Sequence, residues 1–80
     1  MTNNREEIFQ AISKERENQI AQWGGAEHDR QQDNHDWAVY INRQMQKLFH
    51  ASRTDTSEHK DRLIKIAALA VAALEVLDDK

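Results

Sequence analysis

The sequence predicts an all-α domain of three helices, and three observations carry that prediction. The 80 residues hold no proline and only two glycines, adjacent at Gly24-Gly25, so the punctuation that turn-rich sheets need is missing. Charged residues make up 31% of the chain and alternate with apolar positions that recur every three or four residues. The stretch from Leu63 to Leu77 is apolar except for Lys65 and Glu75. This length supports one core, so 1–80 is read as a single helical domain. With no cysteine, the chain gains nothing from disulfides or a thiolate zinc site. Tight helix packing or self-association must then supply its stability.

The first helix is predicted over 4–23. Asn4, followed three residues later by Glu7, offers a capping pair. Ile8, Ile12, Ile20 and Trp23 recur at helical spacing, and Gly24-Gly25 supplies the left-handed residue that closes a helix. From 26 to 36 the chain reads Ala-Glu-His-Asp-Arg-Gln-Gln-Asp-Asn-His-Asp, with no apolar residue after Ala26, and is predicted to be a loop. Trp37, Ile41, Met45 and Leu48 then form a stripe beside Phe49, giving a second helix over about 36–51 capped by Asp33, Asn34 or Asp36. Residues 52–56 read as a polar hinge, and Asp55 with Glu58 makes a second capping pair for a third helix over 56–79. That helix is apolar nearly all round and needs cover on more than one face. Ala67, Ala68, Ala70, Ala72 and Ala73 add little bulk, so another helix can approach closely. Pairing with a second copy, into a helical-bundle homo-oligomer, is the expectation.

Eleven Lys and Arg against fourteen Asp and Glu give a net charge of -3, which excludes the positive field that gathers duplex DNA. Met1 to Gln10 holds Arg5, Glu6 and Glu7 without an apolar run, so no secretory signal is read and a cytoplasmic setting is expected. The Leu63–Leu77 stretch is too short and too charged for a membrane span. No triad is suggested, since Ser13, Ser52 and Ser57 lack a glycine elbow, and two glycines cannot build a Walker loop. His28-Asp29 and His35-Asp36 repeat a His-Asp pair, but not at the one-turn spacing that puts two ligands on one helix face; they read as loop residues whose acids cap the next helix. His50 and His59 have no evident partner.

Tyr40, Gln44 and Lys47 share a helix face beside the Trp37 stripe, and Trp23 ends the preceding helix, so an aromatic platform for a nucleobase is conceivable. Both tryptophans read foremost as core, which leaves Tyr40 the better ligand candidate. Glu15, Arg16 and Gln19 either line a pocket or form a wet face. Arg16 fills the slot on the Ile12–Ile20 stripe where an apolar residue belongs. It is therefore pocket-lining, or it packs its stem while its head reaches water.

Glu15-Arg16, Gln19, Trp23-Gly24, His28, Trp37 and Leu63-Ile64-Lys65-Ile66-Ala67-Ala68-Leu69-Ala70, closed by Glu75, together resemble the small phage-borne MazG-like proteins over about residues 12–78. Those proteins belong to the all-α nucleoside triphosphate pyrophosphohydrolases. The resemblance implies a nucleotide pocket and a magnesium ion held by Glu-Glu-x-x-Glu on one helix and Glu-x-x-Asp on another, the one-turn spacing aiming paired carboxylates the same way. Here the helix after Trp37 reads Ala-Val-Tyr-Ile-Asn-Arg-Gln-Met-Gln-Lys, with Arg43, Gln44 and Lys47 in the acid slots. On the third helix Asp61 is followed a turn later by Lys65. A dismantled metal cluster implies binding without turnover, with cations contacting phosphate directly. Arg43, Lys47 and Lys65 are either those contacts or ordinary solvated positions.

The expected function is thus a phage or prophage protein, cytoplasmic in a bacterial host, that captures a nucleotide without hydrolysing it and without a metal or other cofactor. A host defence signal is one such ligand, which would make the protein an anti-defence factor. Its expected ligand contacts are Arg16, Tyr40, Arg43, Gln44, Lys47 and Lys65. Two alternatives stand beside it: a magnesium-dependent pyrophosphohydrolase whose site is assembled between subunits from Glu15, Glu27, Glu58, Asp61 and Glu75, and an interaction module whose Ala-rich helix pairs with a host protein.

Overall fold

A computed structural model describes residues 4–24 and 31–78, and among them three helices and no strand form. Helix α1 runs Asn4–Trp23, α2 runs Asn34–His50 and α3 runs Thr56–Asp78. The all-α prediction therefore holds across the described residues. None of these helices is long and apolar enough to cross a membrane.

The helix ends follow local chemistry. Asn4, expected as a cap, is itself helical. Gly24 closes α1 with φ 103° and donates its amide to the Ile20 carbonyl at 2.9 Å. A side chain at that φ would meet the carbonyl, so glycine is the residue that fits. Helix α2 begins two residues before the expected start because Asp33 caps it. The Asp33 carboxylate accepts from the Asp36 amide at 2.8 Å, and the Asp36 carboxylate accepts from the Asp33 amide at 3.0 Å. Asp serves at both positions of this reciprocal box because each carboxylate reaches one orphan amide. At α3, Asp55 accepts from the Glu58 amide at 3.0 Å. The Glu58 carboxylate turns forward to Arg62 at 2.9 Å. The His59 ring donates from Nε2 to the Ser52 carbonyl at 3.0 Å, which ties the hinge back onto α3.

Helix α3 is the centre of the fold, with α2 packed on one flank and α1 on another. Four α3 positions, Ala68, Leu69, Ala72 and Val76, are buried, and Leu69, Ala72 and Val76 cluster with Trp37 of α2. Tyr40, Ile41 and Ala73 pack around that cluster. Helix α1 supplies no buried apolar residue. Its two buried side chains are Arg16 and Gln19. The predicted stripe of Ile8, Ile12, Ile20 and Trp23 is corrected accordingly: Ile12, Arg16 and Gln19 form the inward row, while Ile8 and Ile20 stay exposed. Residues spaced by four and three share a face, and Ile20 lies off that row by about a fifth of a turn. Trp23 lies on the row but at the last residue of α1, where cover ends, and is 43% exposed rather than core.

Candidate functional site

A concave space lies where the end of α1 meets α2 and α3. Trp37, Tyr40 and Gln44 share a face of α2 at helical spacing, with Arg43 beside them. Leu69 of α3 and Trp23 of α1 complete the walls, and the cavity measures about 250 Å³. Tyr40, Arg43 and Gln44 of the expected ligand set thus come together. They do so against both tryptophans.

The polar groups on these walls differ in how far they are already satisfied. Tyr40 meets Trp37 edge-on, with ring centroids 6.0 Å apart, and donates its hydroxyl to Gln32 Oε1 at 2.7 Å. Gln44 Oε1 accepts from Arg62 at 3.2 Å. Trp37 is buried, yet its indole Nε1 has no hydrogen-bond partner among the described residues. A buried donor left unpaired costs about 1–3 kcal/mol. Arg43 is exposed and makes no ion pair among the described residues, so its guanidinium is available at the rim.

The other expected contacts lie elsewhere. Arg16 is buried under α3 and reaches Glu75 Oε2 from Nε at 3.3 Å and Nη2 at 3.0 Å. Lys65 stands 3.3 Å from Glu15 and 3.9 Å from Asp61. Lys47 is exposed and outside the cavity wall. These cations are spent on structure or solvent, because burial of Arg16 demands a counter-charge and Lys65 faces two acids.

The same pairings bear on a metal. Glu15 and Asp61 face Lys65, Glu58 faces Arg62 and Glu75 faces Arg16. Among the described residues no three carboxylate or imidazole groups stand close enough to hold one ion. Glu27 and the His28-Asp29 pair lie outside the described residues. The described acids do not fit a magnesium centre within one chain. Asp36, from the second His-Asp pair, is half of the α2 capping box. His50 packs edge-on against Phe49.

Comparison with protein-family models, with curated proteins and with solved structures finds no match to this chain. The candidate site therefore stands on its own geometry. Sequence reasoning missed Leu69 as a wall and ranked both tryptophans as core before platform. Trp23 carried a signal, its place as the last residue before Gly24, because a helix-terminal aromatic has no following turn to cover it.

Proposed function

We propose that this protein binds a nucleotide between Trp23, Trp37, Tyr40 and Arg43 and holds it intact. The observation that carries the proposal is the conjunction on one cavity wall of the aromatic rings of Trp23, Trp37 and Tyr40 with the guanidinium of Arg43. Aromatic faces accept a base by stacking, and a guanidinium grips phosphate with two parallel hydrogen bonds. A volume near 250 Å³ lies just below the range of about 300–1,000 Å³ that encloses drug-sized ligands. It seats a base and leaves the phosphate at the rim, beside Arg43.

Under this reading the chain is a phage relative of the MazG-like enzymes whose helices keep a nucleotide cavity and whose acids are paired with Lys65, Arg62 and Arg16. Hydrolysis would need an activated water, and the described residues of the cavity wall include neither a carboxylate nor an imidazole to activate one. Capture of a nucleotide in a bacterial cytoplasm, a host defence signal among the possible ligands, is the function that follows.

The test is to incubate the purified protein with a panel of mononucleotides and cyclic nucleotides in the presence of magnesium, ultrafilter, and chromatograph the filtrate before and after heating. One nucleotide is expected to leave the filtrate and return intact. Monophosphate with pyrophosphate would show a working hydrolase. A panel left free and whole would sink the cavity reading and favour a partner protein.

A further inference from the structure

Gln44 lines the cavity beside Arg43, and the direction of its amide is fixed from α3. Its oxygen, Oε1, accepts from Nη1 of Arg62 at 3.2 Å. A guanidinium has hydrogens to give and no lone pair to receive one, so the atom facing Arg62 is the oxygen and cannot change places with the amide nitrogen. Arg62 is held in turn. Its Nε donates to Glu58 Oε1 at 2.9 Å, one helical turn back, and the Glu58 amide donates to the Asp55 cap at 3.0 Å. Asp55, Glu58, Arg62 and Gln44 thus form a line from the start of α3 to the cavity wall. At its end, the amide nitrogen of Gln44 makes no hydrogen bond among the described residues.

Resting on the nucleotide reading of this cavity, we infer that Gln44 reads the base as a hydrogen-bond donor and that Arg62 is the residue that positions it. The base then carries an exocyclic carbonyl at the edge that meets Gln44, as in hypoxanthine or uracil, rather than an exocyclic amine, as in adenine or cytosine.

Polarity decides the class of base. An amide free to turn offers either its oxygen or its nitrogen, and so meets an amine or a carbonyl equally well. With Oε1 committed to Arg62, the N–H groups are what remain at that end of the wall, next to an Arg43 guanidinium that also only donates. The exocyclic group projects beyond the ring atoms of a base edge and meets these donors first. A carbonyl oxygen accepts there, whereas an amine sets donor against donor and leaves both unpaired once water is excluded.

Two matched pairs of nucleotides isolate that edge: inosine against adenosine monophosphate, and uridine against cytidine monophosphate. Equilibrium dialysis of the full chain is expected to show the oxo member of a retained pair bound about tenfold more tightly, the difference between one hydrogen bond made and one lost. Arg62→Met keeps the aliphatic stem and removes the donor, so the amide can turn and the ratio should fall to about one. Arg62→Lys should keep the preference, because an ammonium likewise only donates. Gln44→Glu keeps the shape, puts acceptors where the donors were, and should reverse the preference. The Arg62–Glu58 pair is partly exposed, at 21% and 36%, so helical circular dichroism should survive its loss. A purely structural role for Arg62 would weaken both members of a pair alike and leave the ratio standing. Equal binding in the wild type, a preference for the amino member, or an unchanged ratio in Arg62→Met would each overturn the inference while leaving capture intact. Retention of none of the four nucleotides would overturn capture itself, and the inference with it.

Discussion

Leu69→Ala is expected to lower the thermal midpoint by about 10 °C or more, which for this chain means partial unfolding under ordinary conditions. Leu69 is 2% exposed and belongs to a core cluster of only four buried residues with Trp37, Ala72 and Val76. Leu to Ala in a packed interior costs about 2–5 kcal/mol, and the neighbouring alanines have no side chain long enough to move into the void. A domain this small lies near the bottom of the range of about 5–15 kcal/mol. Each kilocalorie moves the midpoint of such a domain by about 4–8 °C. The control is Phe49→Ala, at a residue 83% exposed, which should shift the midpoint by little. Both melts must be run at one protein concentration, since self-association would raise the apparent midpoint of each. Equal midpoints for the two variants would place the stability outside the Trp37 cluster.

Arg43→Ala should weaken nucleotide capture about tenfold to hundredfold, and Lys47→Ala should leave it unchanged. A hydrogen bond to a charged group is worth about 1.5–3 kcal/mol, which sets that range. The two residues sit one turn apart on α2, so a general loss of positive charge would affect capture equally in both variants. Only contact at the cavity rim separates them. Arg43→Lys should recover part of the affinity, as an ammonium replaces a planar fork with a point charge. Equilibrium dialysis with whichever nucleotide the panel identifies measures all three. Parallel losses in Arg43→Ala and Lys47→Ala would argue for a field, and no loss in Arg43→Ala would move the phosphate to another face.

The helices were legible because their signals are local. Gly24 fixed the end of α1, and Asp33 stood among three cap candidates for α2, whose start fell two residues before the one expected. Trp37 could be placed in the core from its stripe alone. That Arg16 sits on the inward stripe was legible, but its burial against a counter-charge was not, since that depends on α3 offering Glu75, a pairing across 59 positions of sequence. The apolar pattern points the Ile12–Trp23 side of α1 inward, and the ion pair seats Arg16, with Gln19, on that same side while Ile8 and Ile20 fall at its exposed edges. The candidate site was half legible for the same reason. Spacing grouped Tyr40 and Gln44 with Lys47, which lies outside the cavity, Arg43 entered through the acid slots of the resemblance, and Leu69 joins them only through tertiary packing. Lys65 was ambiguous because its partner Glu15 lies 50 residues away.

The uneven reach of these contacts sets an order of assembly. Helices α2 and α3 are joined by a hinge of five residues, Ala51 to Asp55, so Trp37 and Leu69 meet after a short search. Helix α1 is held by Arg16 to Glu75 and Glu15 to Lys65, contacts that close long loops and bring little apolar burial. The hairpin is therefore expected to act as the folding nucleus, with α1 docking after the barrier. Stopped-flow kinetics should show Arg16→Met accelerating unfolding with refolding nearly unchanged, while Leu69→Ala slows refolding. The lifetime of the native state is then governed by the polar seat of α1, and its rate of formation by the apolar hairpin beneath.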